Sequence, residues 1–144
     1  MSFWDSSALI PLVVDEPASP TARRLLRGHG TPVVWWGSLV ECCSALERRR
    51  RAGLLKGAWK RQAEQSLIQL AAAWAEIQPT GSVRERARRL LSSRDLSAGD
   101  ALQLAAALVW AEERPSGRAF VCLDERLREA ARKDGFLVLP EDIG

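Results

Sequence analysis

The sequence predicts an α/β fold around a parallel sheet, since short β-prone runs alternate along it with longer segments of helical apolar periodicity. The run at residues 119–123 is moreover apolar without alternation, as in a strand covered on both faces. Size agrees: 144 residues suit a single domain over residues 1–144 with one core.

Residues 2–4 read as the first strand. A helix follows through Ala8, Leu9, Leu12 and Val13 and should end near Pro17, with Pro11 expected to kink or shift it. A second short helix at residues 21–27 reaches the Gly28-His29-Gly30 turn, and residues 33–36 form the second strand, closed by Gly37-Ser38. From Ser38 a helix places Leu39, Cys42, Cys43 and Leu46 on one stripe. Residues 58–76 do the same with Ala63, Leu67, Leu70, Ala71 and Trp74, so the two predict a helical hairpin turning near Gly53. A short strand is expected at residues 76–78. Val83, Ala87, Leu90 and Leu91 then mark a helix whose outer face is mostly arginine. Residues 101–111 are apolar nearly all round, Gln103 excepted, which predicts a buried helix begun by Asp100. After the strand at 119–123, Leu127, Ala130 and Ala131 form a helix face, and residues 136–139 a last strand beyond the Gly135 turn.

Composition narrows the chemistry. Hydrophobic residues make up 47% and charged residues 27%, and no apolar run approaches the length of a bilayer span. The opening Met-Ser-Phe-Trp-Asp has no basic stretch leading into an apolar one, so a cytoplasmic location is expected. Cys42, Cys43 and Cys122 lie in apolar stretches and read as reduced, buried thiols. With no Cys-x-x-Cys pair and a single histidine, His29, neither a zinc site nor a Ser-His or Cys-His hydrolase is expected, which leaves carboxylates, lysines or a metal. The net charge of +3 is modest; arginines cluster at 23–24, at 48–51 and at 84, 86, 88 and 89, as on solvated helix faces that can also meet phosphates.

In open parallel sheets ligands bind beyond the carboxyl ends of the strands. Asp5 and Asp124 follow strand-like runs and would emerge at that edge, while Glu41 and Asp100 occupy the first turns of their helices. Taken singly, each acid is explained by helix capping: Asp5 and Asp124 as N-caps, and Ser38 to Glu41 and Ser97 to Asp100 as capping boxes, a spacing that Ser82 to Glu85 shares. Glu41 also lies off the apolar stripe, as a surface residue would. Gathered at one edge, however, such acids repel one another unless a proton or cation compensates, and a hard divalent ion bound through oxygens is the natural solution.

Four segments in order resemble the PIN domain, and within it the VapC-like toxins of prokaryotic toxin–antitoxin pairs. They are Phe3-Trp4-Asp5-Ser6-Ser7-Ala8-Leu9-Ile10; Ser38-Leu39-Val40-Glu41-Cys42-Cys43-Ser44-Ala45-Leu46 with the arginines after it; Leu96-Ser97-Ala98-Gly99-Asp100-Ala101-Leu102-Gln103-Leu104-Ala105; and Val121-Cys122-Leu123-Asp124-Glu125-Arg126-Leu127. Pro11 and the frequency of tryptophan depart from the family pattern without touching the acids. The resemblance implies a three-layer α/β/α fold with a central parallel sheet and a helical hairpin insertion. It further implies a ribonuclease in which Asp5, Glu41, Asp100 and Asp124 bind Mg2+ or Mn2+, Asp5 and Asp100 directly, and leave 5'-phosphate and 3'-hydroxyl ends. Ser6 and Arg48 are the substrate-contact candidates, and Ser6 serves equally as a helix cap. Trp36, at a strand end, is a candidate for stacking on an unpaired base, whereas Trp74 and Trp110 are expected in the core. An RNA substrate, a VapB-like antitoxin and a homodimer are the partners implied. Two alternatives compete: a PIN-type module that binds RNA or protein without cutting, and a haloacid-dehalogenase-type phosphatase, which needs a second Asp where Ser7 stands.

Overall fold

The structure, a computed structural model, describes residues 1–143. Twelve elements run β1 (Ser2–Trp4), α1 (Ser6–Val13), α2 (Ser19–Gly28), β2 (Pro32–Trp35), α3 (Ser38–Arg51), α4 (Gly57–Ala73), β3 (Ala75–Ile77), α5 (Gly81–Ser93), α6 (Ala98–Trp110), β4 (Ala119–Val121), α7 (Glu125–Asp134) and β5 (Leu137–Leu139). All pairings are parallel and the strand order is β3-β2-β1-β4-β5. β1 is therefore central, with the strands that follow it first laid to one side and the last two to the other.

Because side chains alternate along a strand, β1, β2, β4 and β5 each feed two cores. Phe3, Val33, Trp35, Phe120 and Val138 pack against α5, α6 and α7. Trp4, Val34, Val121 and Leu139 pack against α1 to α4. The result is the expected three-layer α/β/α arrangement. Phe3 stacks on Phe120 with ring centroids 5.4 Å apart, and Phe120 meets Phe136 at 5.4 Å, joining β1, β4 and the β5 end across one face. The buried Arg128 of α7 donates to Cys122 O at 2.8 Å and Pro140 O at 2.7 Å, tying the chain after β5 to the exit of β4.

The expected hairpin is present: α3 and α4 pack together and the chain reverses at Gly53, whose φ of 76° suits glycine. Several details differ from expectation. α1 stops at Val13, well before Pro17, and simply contains Pro11. In α3 the buried stripe is Ser38, Cys42, Ala45 and Leu46; Cys43 is exposed, so it is not the buried thiol expected. One residue adds about 100° of helix rotation, enough to carry Cys43 off a stripe that Cys42 occupies. Leu91 is likewise exposed on α5. Gln103, the polar exception in α6, is fully buried. Trp74 is core as expected, but Trp110 is only partly covered and carries the Arg118 guanidinium over its ring at 5.2 Å. Among the described residues no helix is long and apolar enough to cross a membrane.

Candidate functional site

The strand order changes direction at β1, between β2 and β4, and the crevice of such a sheet lies at the carboxyl ends there. Asp5 leaves β1 at this point and Asp124 follows β4. α3 and α6 begin nearby and bring Glu41 and Asp100. All four acids line one open cleft of about 290 Å3, together with Ser6, Ser7, Arg48 and Arg49.

Asp5 is the floor, only 3% exposed. Its Oδ2 accepts from Ser7 N at 3.2 Å and from the Ser7 hydroxyl at 2.5 Å, with the Cys122 thiol 3.6 Å away. Ser7 Oγ in turn accepts from Leu123 N at 2.9 Å, so one hydroxyl links the exits of β1 and β4. Burial pushes the Asp5 carboxyl above its ordinary value, against the Ser7 and Cys122 hydrogen bonds that favour its charge. Half-buried Glu41 is raised by burial first and by the charge of Asp5 second. It is no plain surface residue, for Ser6 Oγ donates to Oε2 at 3.2 Å and Gln103 Nε2 to Oε1 at 3.0 Å. Asp100 is raised by burial, then by Asp5 and Asp124. The charge of Asp5 thus reaches both Glu41 and Asp100, and that of Asp124 reaches Asp100.

Capping and convergence prove compatible. Asp5 caps α1 and Asp124 caps α7, its Oδ2 accepting from Leu127 N at 3.0 Å, and these bonds aim both carboxylates. Ser97 caps α6 by accepting from Asp100 N at 3.1 Å. The other two capping-box readings fail. Ser38 lies inside α3, whose cap is Gly37, and accepts from Gln103 instead; Thr80, not Ser82, caps α5. Of the arginines, Arg48 is exposed and donates to Ser44 Oγ at 2.9 Å, while Arg49 is engaged by Glu16 at 2.7 Å. Arg48 is therefore the freer cation at the rim. Trp36 stands just past β2, 51% exposed, edge-on to Trp35.

Among the described residues no three carboxylate, imidazole or thiol groups stand close enough to form a ready-made cage. The donor set nevertheless fits Mg2+ or Mn2+, hard ions that prefer oxygen; Mg2+ in particular keeps several waters and takes only one or two carboxylates directly. It does not suit a softer ion, because neither a thiol nor an imidazole lines the cleft. Ser7 and Gln103 are supporting residues that sequence reasoning passed over. Their signals were a second hydroxyl after Asp5 and a lone amide in an apolar helix.

The profile of the PIN domain family matches residues 3–133. No curated protein matches the chain by sequence. Similar solved structures include Mycobacterium tuberculosis VapC20, described as a sarcin-ricin loop cleaving toxin, at TM-score 0.64 and 20% identity over 90% of this chain and 95% of that one. VapBC2 from Rickettsia felis, bound to a promoter DNA fragment, aligns at TM-score 0.65 and 12% identity, covering 95% and 96%. FitAcB from Neisseria gonorrhoeae aligns at TM-score 0.64 and 17% identity, covering 96% of each. At these identities the likeness is one of fold.

Proposed function

Since the chain belongs to the PIN domain family, we propose that it is a single-domain, metal-dependent endoribonuclease, the toxin of a toxin–antitoxin pair. The observation that carries this reading is the meeting of Asp5, Glu41, Asp100 and Asp124 in one cleft at the switch point of the sheet. Asp5 and Asp100 would hold the ion directly, with Glu41 and Asp124 reaching it through water. A bound Mg2+ or Mn2+ supplies charge neutralisation at the scissile phosphate and a lowered pKa for the attacking water. Arg48, exposed at the rim, would meet a backbone phosphate; Ser6, which donates to Glu41, would steady that carboxylate or a phosphate oxygen, and the exposed Trp36 would stack on an unpaired base. Hydrolysis leaves 5'-phosphate and 3'-hydroxyl ends.

The partners proposed are RNA, a VapB-like antitoxin that covers the cleft, and a second copy of the chain, in the cytoplasm. A similar solved structure from Klebsiella pneumoniae, described as a toxin–antitoxin complex, supports the antitoxin. The alternative is a PIN-type module that binds without cutting, against which the four intact acids speak. A nuclease assay separates the two: cleavage abolished by chelator supports the enzyme, and RNA binding without cleavage in Mg2+ or Mn2+ supports the module. Expression in a host tests the toxin role, which fails if growth is unimpaired alone and unaffected by the neighbouring gene's product.

A further inference from the structure

α6 buries Gln103 completely. Burying a primary amide is costly unless both N–H groups and the carbonyl find partners. The N–H groups do: Nε2 donates to Ser38 Oγ at 2.9 Å and to Glu41 Oε1 at 3.0 Å. The carbonyl Oε1 has none. A side chain that only filled space would be better as leucine or methionine, which bring no orphaned oxygen. The amide's orientation follows from its neighbour, since an ionised carboxylate only accepts, and a flipped amide would set acceptor against acceptor.

Glu41 Oε2 is held from the other side by Ser6 Oγ at 3.2 Å. Each oxygen of the carboxylate therefore has one neutral donor, one from α6 and one from α1, and keeps lone pairs for the cleft. Neutral donors orient the group without cancelling the charge that attracts a cation. We infer that Gln103 is a positioning residue that clamps Glu41 of α3 to the helix carrying Asp100, so that the two carboxylates meet a divalent cation at a set separation. The inference deepens the proposed function and shares with it only the binding of that cation.

Manganese binding, followed by the electron paramagnetic resonance of free Mn2+, tests it on the full chain with wild type, Gln103→Met, Ser38→Ala, Glu41→Gln and the Gln103→Met/Glu41→Gln double variant. Gln103→Met should weaken Mn2+ binding about tenfold, within the range for groups that orient metal ligands. In the Glu41→Gln background it should have no further effect, because its influence passes through Glu41. Ser38→Ala, which frees one end of the amide, should weaken binding in the same sense and carries the test if Gln103→Met does not fold. Wild-type affinity in the folded variants, or an equal loss with and without Glu41, would overturn the clamp. RNA cleavage on the same samples keeps the two readings apart: Mn2+ binding by wild type without cleavage removes the nuclease and leaves the clamp standing, whereas no Mn2+ binding by wild type removes both.

Discussion

Asp5 combines burial that opposes its charge with hydrogen bonds that favour it, and burial wins. Asp5, Glu41 and Asp100 all have raised values, so between the ordinary carboxylate range and those values the folded chain holds more protons than the unfolded one. Their contribution to stability is greatest at low pH and is lost as pH rises through the raised values. Melting in EDTA from about pH 4 upward should show a decline that Asp5→Asn makes shallower, while the same substitution, or Asp100→Asn, reduces cleavage by more than the ~100-fold upper range for outer-shell partners. Full cleavage by either purified variant would remove the assignment. Ser7→Ala strands the Leu123 amide and frees Asp5, which should cost about 1–3 kcal/mol in urea unfolding and weaken cleavage without abolishing it. The acids were legible because a residue just after a buried strand, or in a helix's first turn, has a predictable place. Gln103 and Ser7 were not, because their partners lie 65 and 116 residues away and only the folded chain brings them together.

Helix starts depend on single residues that a spacing pattern does not distinguish. A serine three residues before an acid occurs within a first turn as readily as ahead of it, which is why Ser38 and Ser82 read as caps while Gly37 and Thr80 hold those places. Gly37 has a steric reason: a Cβ there would stand 2.5 Å from Trp35 Nε1. Gly37→Ala should displace the indole, cost about 1–3 kcal/mol by overpacking, and change tryptophan fluorescence together with the urea midpoint. At the other end of the fold, Arg128→Met removes the donors to Cys122 O and Pro140 O. Loss of these charged hydrogen bonds should cost about 2–4 kcal/mol and speed amide exchange at Leu139 and Glu141, which flank Pro140. Unchanged stability would mean that α7 and β5 hold without that tie.

The strand pattern announced a parallel sheet but not its order, since an apolar run carries no label for its neighbour. It is the pairing of β1 with β4 in the order β3-β2-β1-β4-β5 that sets their exits side by side and brings Asp5 toward Asp124. A cation that binds the folded cleft alone must stabilise the whole domain, by about 2.7 kcal/mol at a hundred times its Kd. Mg2+ or Mn2+ should therefore raise the melting temperature of wild type, and the rise should vanish in an Asp5→Asn/Asp100→Asn variant. Asp5 and Glu41 precede β3, while Asp100 and Asp124 come after it on the chain. A ribosome that stalls before β4 emerges has thus released three of the four acids, with no strand to carry Asp124 to the exit of β1. The cleft stays one carboxylate short until β4 has been made and laid beside β1.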